Sequence, residues 1–363
     1  MSKIRIGLCG IGRAGWGMHT GEVNLYPDDF EFTGACDLIP ERMEAMCRRY
    51  ASCKAYPEYK DMLKADDIDL VVIAVPTNFH TDYAIMALEA GKYVLIEKPI
   101  AINTAEADRL GKAADKYPGK LFCRHNRRFE AYINHVKEII ASGVLGKITE
   151  FKIYSHSYSR RNDWQTLKSC NGGMLNNWGP HLIDHALQLL DYKVADVWSN
   201  LQLVSATGDA EDFFKIIFTG TNGTIGEVES SGCVCCPEPL CKVYGQYGSI
   251  VVPDEKHIWI KRLDLEKCTT ATPATEIAPP VKLGDFGSAK EVNDRKSDRA
   301  VFDNTGGLVW IEETIECAPS NGATINDTYK HIARNLKEGI PFPVTFKEAY
   351  TVVKYTELVR KKA

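Results

Sequence analysis

The sequence has no apolar run long enough to cross a membrane and no dense cluster of basic residues. No stretch approaches the roughly 18 consecutive apolar residues of a membrane span. The formal net charge of the 363 residues is -4, and the dispersed lysines and arginines argue against a nucleic-acid or anionic-membrane surface. A strand-like segment begins within three residues of the N-terminus and leaves no room for a signal peptide. We therefore expect a soluble cytoplasmic protein that binds small molecules or other proteins.

Twelve cysteines are present, yet the sequence lacks the paired Cys-x-x-Cys spacing that is typical of metal sites. Four of them are crowded together, at Cys233, Cys235, Cys236 and Cys241. Such crowding could indicate a zinc or iron–sulfur site, but no histidine accompanies these residues and the first two fall in a strand-like context. We therefore expect free thiols in a reducing compartment and no bound metal.

A glycine-rich turn follows the first predicted strand, residues 3–9, and leads into a helix. In its G-x-G-x-x-G spacing the first glycine permits a tight turn, the second admits a pyrophosphate, and the third packs helix on strand. A second predicted strand, 30–36, ends at Asp37, 22 residues after Gly15. A carboxylate there accepts hydrogen bonds from ribose hydroxyls and repels a 2′-phosphate, which favours NAD, although Arg42 leaves NADP open as the less favoured cofactor. The predicted cofactor residues of the turn are Gly10, Ile11, Gly12, Arg13 and Gly15.

Strands and helices alternate through the rest of the first third of the chain. Apolar strands are predicted at 70–75, 93–96 and 121–123, and amphipathic helices at about 81–90 and 104–117. Continuous apolar strands between amphipathic helices are typical of a parallel sheet covered on both faces. We therefore predict a doubly wound Rossmann domain of α/β class over residues 1–123, with ligands at the carboxyl ends of its strands.

Polar side chains follow two of these strands at positions where a purely structural turn would not require them. We predict cofactor contacts for Pro76, Thr77, Asn78 and His80 after one strand, and for Glu97 and Lys98 after the next. His80 either contacts the cofactor or only caps the following helix. Lys98 precedes a proline that restricts the backbone. It either lies beside the nicotinamide and hydrogen-bonds a substrate oxygen or is a solvated surface lysine.

A helix with one apolar face is predicted from Pro180 onward, and His181 lies in its first turn. The partial positive charge of a helix N-terminus lowers the pKa of an imidazole, so His181 is a candidate general base. The alternative is a polar residue that only occupies a helix start. His185 would complete a His-x-x-x-His zinc pair, but no third ligand is evident.

From Arg124 the pattern changes, and we assign residues 124–363 to a second domain, for which the family resemblance given below implies substrate binding and oligomer contact. It has a predicted helix at 131–142, a last helix at 348–360, and strands at 147–156, 201–207, 213–218, 224–231 and 250–260, with an Asn-Gly hairpin pair at 222–223. Tyr158 and Trp164 lie in a polar aromatic stretch that either binds a sugar or is a plain surface loop. Residues 253–304 are expected to shape one rim of the site or the oligomer contact.

These motifs, in this order, resemble the glucose–fructose oxidoreductase / inositol dehydrogenase (Gfo/Idh/MocA) family of two-domain sugar and polyol dehydrogenases. The likeness rests on the glycine turn, Asp37, residues 76–80, the Glu-Lys-Pro signature at 97–99 and the Gly-x-His-x-x-Asp signature at 179–184. It implies that Lys98 is the active-site lysine and His181 the acid/base residue, and that the second domain carries an open, largely antiparallel sheet in a homodimer or homotetramer. Asn177 stands where the family usually has a catalytic aspartate, and an amide cannot stabilise an imidazolium as a carboxylate does.

The resulting interpretation is an NAD-dependent oxidoreductase that transfers a hydride between nicotinamide and a secondary hydroxyl of a sugar, polyol or related cyclic compound. In this hypothesis His181 accepts the hydroxyl proton, Lys98 stabilises the oxygen and Asn177 orients the pair. Further predicted substrate contacts are Asn126, Arg127, Tyr158 and Trp164. Two alternatives stay open: a relative that cleaves glycosides through transient oxidation, and a non-catalytic, NAD-responsive regulatory protein of the same fold.

Overall fold

The computed structural model describes residues 2–268, 307–318 and 324–363, which form two sheets with helices packed on them. The first sheet has six parallel strands in the order β3-β2-β1-β4-β5-β6. Its strands are β1 (Ile4–Cys9), β2 (Phe30–Cys36), β3 (Lys54–Ala55), β4 (Leu70–Ile73), β5 (Tyr93–Ile96) and β6 (Leu121–Cys123). This order is that of a doubly wound nucleotide-binding sheet, and it confirms the predicted Rossmann fold.

Helices cover both faces of this sheet. They are α1 (Thr20–Val23), which continues a π-helical segment Arg13–His19, and α2 (Pro40–Arg49), α3 (Tyr59–Leu63), α4 (His80–Glu89) and α5 (Thr104–Lys116). Local chemistry accounts for the helix starts: Pro40 occupies the first turn of α2, and the Asn103 side chain accepts a 2.9 Å hydrogen bond from the Glu106 N–H to begin α5. The apolar faces of α4 and α5 bury Leu88 and Leu110 in one core.

The second sheet has eight strands in the order β14-β13-β12-β11-β7-β10-β9-β8. The strands are β7 (Ile148–His156), β8 (Val194–Gln202), β9 (Phe213–Gly220), β10 (Ile225–Ser231), β11 (Cys241–Gly245), β12 (Gly248–Val252), β13 (His257–Leu263) and β14 (Trp310–Glu316). Only β7 and β10 pair in parallel among the described strands of this sheet. The sheet is therefore mixed and largely antiparallel, as the family resemblance implied.

Three predicted strand boundaries were wrong. The strand predicted at 70–75 ends at Ile73, and the one predicted at 250–260 is two strands joined by a turn. Residues 203–207 were predicted as strand but form a loop after β8. The Asp212 carboxylate accepts hydrogen bonds of 2.7 to 2.9 Å from three backbone N–H groups of this loop, those of Val204, Ser205 and Ala206. A side chain that satisfies these donors replaces the strand ladder.

The second sheet is covered on one face and open on the other. Three helices lie on the covered face: α6 (Ala131–Ala141), α8 (Gly179–Leu189), which follows the short α7 (Met174–Asn177), and α10 (Phe346–Lys362). Burial alternates along β9, where Phe214, Ile216 and Phe218 point into this core. The opposite face leaves large aromatic side chains half exposed, with Trp198 at 51% and Trp259 at 53%.

The C-terminal helices connect the two sheets. Tyr329 and Ile332 of α9 (Thr328–Glu338) are buried in the core beside β1 and β2, on the first sheet. Helix α10 contributes Val353 to the first domain's core and Val359 to the second. Residues that follow the second sheet in the chain therefore also complete the nucleotide-binding domain.

No helix in the described part of the chain is both long and apolar enough to cross a bilayer. Residues 269–304 of the segment predicted to shape the site rim or the oligomer contact lie outside the described residues.

Candidate active site

The glycine turn after β1 has the geometry that its spacing predicts. Gly10 has a φ of +89°, and a Cβ there would lie 2.5 Å from the Ala74 carbonyl oxygen. A Cβ on Gly15 would lie 2.0 Å from the Gly10 oxygen, whereas one on Gly12 would meet nothing within 4 Å. The first and third glycines are therefore required by packing, and the middle one leaves the backbone open to a ligand.

An open groove of ≈ 530 Å³ adjoins this turn. It is lined by Ile11, Gly12, Arg13, Trp16, Gly17, Glu41, Arg42 and Ala45. A backbone cradle without side chains, next to a helix start and a groove, fits the pyrophosphate and adenosine of a dinucleotide.

Asp37 is fixed at the end of β2 by backbone donors. Its Oδ2 accepts a 2.6 Å hydrogen bond from the Ile11 N–H, and its Oδ1 accepts one of 2.9 Å from the Ile39 N–H. The Arg42 guanidinium lies 3.5 Å away. The carboxylate is thus held at the ribose position predicted from the sequence, with a cation beside it.

The loop after β4 approaches the second domain. Thr77 and Asn78 form a single 3₁₀ turn after Pro76, and the Asn78 side chain is hydrogen-bonded to the Asn171 amide. His80 lies elsewhere: its ring is buried, with Nδ1 2.8 Å from the Pro99 oxygen and Nε2 2.9 Å from the Val75 oxygen. His80 therefore connects two loops of the site. It neither caps α4 nor presents a free nitrogen to a cofactor, which corrects both predicted roles.

Lys98 follows β5, in a loop whose Lys98–Pro99 peptide is cis, and it connects the two domains. Its Nζ donates hydrogen bonds to the Asn177 backbone oxygen at 2.7 Å and to Asn177 Oδ1 at 3.3 Å. Burial lowers the pKa of Lys98 to about 8. The charges of Arg127, Arg124 and Arg161 contribute to this lowering, whereas the charge of Glu97 opposes it. The lysine predicted beside the nicotinamide is therefore desolvated and close to its titration point.

Glu97 contacts protein groups that lie behind the loop. Its Oε1 is 2.8 Å from Arg124 Nη1 and 3.1 Å from His19 Nε2, and Arg124 Nη2 binds Glu22 at 2.8 Å. Burial opposes the negative charge of Glu97, but the charges of Arg124 and His19 hold its pKa well below the usual range. This geometry indicates that Glu97 anchors the Lys98 loop, whereas the sequence predicted a cofactor contact.

His181 lies in the first turn of α8, as predicted, and its Nδ1 is buried without a hydrogen-bond partner among the described residues. Its pKa lies well below the usual value. Burial is the largest cause, and the positive charges of Lys98 and Arg127 add to it. The ring edge packs on Trp178, with centroids 6.1 Å apart. Burial and these neighbouring charges therefore favour the neutral imidazole, the form that the sequence predicted from the helix N-terminus.

The residues that follow His181 on α8 make structural contacts. Asp184 accepts hydrogen bonds of 2.7 and 2.5 Å from Arg128, and His185 Nε2 lies 3.0 Å from the Arg127 carbonyl oxygen. Cys241 is buried, whereas Cys235 and Cys236 are exposed, so these cysteines do not converge. The described residues contain no group of three or more metal-ligating side chains.

The predicted substrate residues are only partly brought together. Asn126 is buried beside the cleft, and the Arg127 guanidinium lies 4.3 Å over the Trp178 ring. Tyr158 is 56% and Trp164 39% exposed, which is compatible with either a binding loop or a plain surface loop. Sequence reasoning missed Trp178, although an aromatic residue three positions before His181 on a helix shares its face.

Two family models match the chain. The model of the GFO/IDH/MocA oxidoreductase family, NAD-binding Rossmann fold, covers residues 4–125, and the GFO/IDH/MocA C-terminal domain covers residues 133–251. The scyllo-inositol 2-dehydrogenase (NADP(+)) of Bacillus subtilis is 23% identical over 362 residues, 98% of this chain and 93% of that protein. The myo-inositol 2-dehydrogenase of Thermotoga maritima is 26% identical over 254 residues, 68% of this chain and 74% of that protein.

Solved structures share the fold over the whole chain. An NAD-binding protein from Listeria innocua matches with a TM-score of 0.79 and 24% identity, covering 100% of this chain and 98% of that one. The WlbA dehydrogenase from Bordetella pertussis, solved with NADH and UDP-GlcNAcA, matches with a TM-score of 0.72 and 21% identity, covering 99% and 95%. Together with the two domain models, these likenesses show that the chain belongs to the GFO/IDH/MocA family of NAD-binding oxidoreductases.

Proposed function

We propose that the protein is an NAD-dependent dehydrogenase that oxidises a secondary hydroxyl of a sugar, polyol or related cyclic compound. The observation that carries this proposal is the pairing of a desolvated Lys98, held on Asn177, with a buried and neutral His181. Lys98 follows β5 at the carboxyl edge of the nucleotide-binding sheet, where ligands of this fold bind, and His181 lies in the first turn of α8 in the second domain. The likeness to two inositol dehydrogenases supports the substrate class.

The two side chains divide the proton chemistry. A bound nicotinamide dinucleotide supplies the hydride acceptor for the substrate C–H. His181, neutral in the buried site, accepts the hydroxyl proton on a ring nitrogen. The Lys98 ammonium donates a hydrogen bond to the same oxygen and stabilises the negative charge that develops there, while Asn177 holds the lysine in position.

Asp37 supports NAD as the preferred cofactor. A fixed carboxylate at the end of β2 offers acceptors to ribose hydroxyls and repels a 2′-phosphate. Arg42, only 3.5 Å from that carboxylate, is the group that would accommodate NADP, the cofactor named for the Bacillus subtilis relative.

Incubation with inositols, hexoses and sugar acids is expected to yield NADH, with kcat/KM about tenfold or more higher for NAD than for NADP because Asp37 repels the extra phosphate. Formation of NADH at 340 nm measures this, and the Asp37→Ser variant should lose the preference. Release of sugar from an aryl glycoside without net NADH would contradict the proposal and favour glycoside cleavage. Tight cofactor binding with no turnover of any compound would favour a regulatory protein.

We propose that the open face of the second sheet is an oligomer contact. Its exposed tryptophans, Trp198 and Trp259, are large apolar residues of the kind that oligomer interfaces bury. We expect a dimer or tetramer by light scattering after gel filtration. In Trp259→Glu the dissociation constant of this oligomer should rise at least about tenfold. Leu25→Glu, which changes a residue 58% exposed on the other domain, is the control. A monomeric native protein would contradict this assignment.

A further inference from the structure

Three arginines lie between residues 124 and 128, and two of them are already neutralised. Arg124 lies 2.8 Å from both Glu22 and Glu97. Arg128 binds Asp184 at 2.5 Å and Glu348 at 3.0 Å. Both guanidinium groups are buried, and carboxylates of the protein balance their charges, so neither is available to a ligand.

Arg127 differs from both of its neighbours. Its side chain is 25% exposed, and among the described residues only Glu130 accepts a hydrogen bond from its guanidinium. The Arg127 Cζ lies 4.3 Å from the centroid of the Trp178 ring, which in turn contacts His181. A guanidinium with free donors is therefore held beside the proposed catalytic base.

Glu130 offsets the charge of Arg127 only in part. The carboxyl group is buried, its Oε2 has no hydrogen-bond partner among the described residues, and burial raises its pKa to about 7. Near neutral pH a substantial fraction of Glu130 is therefore protonated and leaves Arg127 without a full countercharge.

The rest of the cleft adds positive charge. Lys98 hydrogen-bonds an amide and not a carboxylate, because residue 177 is asparagine. Arg161 lies close enough to lower the pKa of Lys98. Its guanidinium is paired with one carboxylate, that of Asp163, at 2.8 Å. Lys98, Arg127 and Arg161 thus set three positive charges near the site against two carboxyl groups, Asp163 and the partly protonated Glu130. Such a desolvated excess of positive charge attracts an anion.

We propose that the substrate is a sugar acid, a cyclic polyol that carries a carboxylate, and that Arg127 binds this carboxylate while Lys98 and His181 act on a ring hydroxyl. The inference rests on the proposed dehydrogenase function and names its substrate class. The planar guanidinium offers two parallel N–H donors to a carboxylate, and its stacking on Trp178 fixes the orientation of that fork. A neutral sugar in the same place offers the guanidinium one uncharged hydroxyl oxygen in place of two carboxylate oxygens, so the site binds it less tightly.

The test compares matched pairs that differ only in the acid group: D-glucose with D-glucuronate, and D-galactose with D-galacturonate. Each is assayed for NADH formation with the native full-length protein. We expect kcat/KM for the acid to exceed that for the neutral sugar by about 10- to 100-fold in at least one pair. Glucose 6-phosphate, an anion of different geometry, is the third arm.

Arg127→Met keeps the aliphatic packing on Trp178 and removes the charge. It should raise KM for the acid about 10- to 100-fold and KM for the neutral sugar by a smaller factor, because only the acid loses a charge pairing. Arg127→Lys keeps the positive charge but lacks the two parallel N–H donors. Its KM for the acid should lie between that of the native protein and that of Arg127→Met. The matched control is Arg334→Met, because Arg334 is also paired with a single glutamate, Glu338 at 3.8 Å, on the exposed side of α9.

The outcomes separate this inference from the function on which it rests. Faster oxidation of the neutral sugar in both pairs, or equal loss for acid and neutral sugar in Arg127→Met, would overturn the sugar-acid assignment and leave the dehydrogenase intact. Preference for glucose 6-phosphate over every carboxylate would overturn the carboxylate assignment alone. If the cofactor binds but neither sugars nor acids are oxidised, the dehydrogenase proposal fails and the inference fails with it.

Discussion

Replacement of Lys98 by methionine is expected to lower kcat by about three orders of magnitude while dinucleotide binding persists. Methionine keeps the length and packing of the side chain but cannot donate a hydrogen bond to the oxygen that develops negative charge. Steady-state NADH formation gives kcat, and NADH fluorescence titration gives cofactor affinity. A variant that retains a tenth or more of the native kcat would remove Lys98 from the catalytic machinery.

The pH profile separates a catalytic lysine from one that only connects two loops. Because burial lowers the pKa of Lys98 to about 8, its ammonium is present below that pH and lost above it. We therefore expect kcat/KM to fall as pH rises through about 8. In Lys98→Arg the guanidinium keeps its proton, so this decline should be absent. Lys64→Met, at a position 75% exposed directly after α3, controls for the loss of a lysine charge.

Replacement of Arg124 by methionine is expected to cost about 3 to 5 kcal/mol of unfolding free energy. The substitution leaves Glu22 and Glu97, each 2.8 Å from the native guanidinium, as buried charges without their main partner. Urea unfolding followed by circular dichroism measures the change. Because Glu97 is next to Lys98 in the chain, we also expect kcat to fall in the folded fraction.

An exposed arginine with the same number of partners is the control for this prediction. Arg109 binds Glu106 at 2.6 Å and Asp82 at 2.8 Å, but its side chain is 52% exposed, so Arg109→Met should change stability little. The triple variant Glu22→Gln, Glu97→Gln, Arg124→Met removes all three charges and should recover part of the loss. A larger loss in Arg109→Met than in Arg124→Met would contradict the proposed burial cost.

Strands β1, β2, β5 and β6 of the first domain could be predicted to within one residue because their apolar residues run up to a turn, whereas β3, which has two exposed residues, was not predicted. The predictions for β5 and β6 match residue for residue, and the glycine turn has the positive φ that its first glycine permits. A strand prediction failed where a side chain further along the sequence accepts hydrogen bonds from backbone N–H groups. Residues 203–207 resemble a strand locally, but the Asp212 carboxylate bonds their N–H groups and ends β8 at Gln202.

Single positions of the site were predicted better than the roles of their neighbours. Lys98 and His181 were singled out because a lysine after a parallel strand and a histidine in a first helical turn are local patterns. The role of Glu97 was not predicted, because its partners Arg124 and His19 are 27 and 78 residues away in the chain. His80 likewise contacts the carbonyl of Pro99 from another loop.

The family resemblance implied the largely antiparallel second sheet, whereas the sequence by itself determined the glycine turn and the doubly wound first domain. These depend on steric limits at glycine and on hydrophobic periodicity, which act over a few residues. Only the tertiary structure decided which charged side chains are paired in the core and which remain available near the cleft. It neutralises Arg124 and Arg128, leaves Arg127 partly free on Trp178, and places Lys98 on Asn177, 79 residues away. Burial and ion pairing between residues far apart in the chain determine which charges are balanced, and the local sequence pattern predicts neither of them.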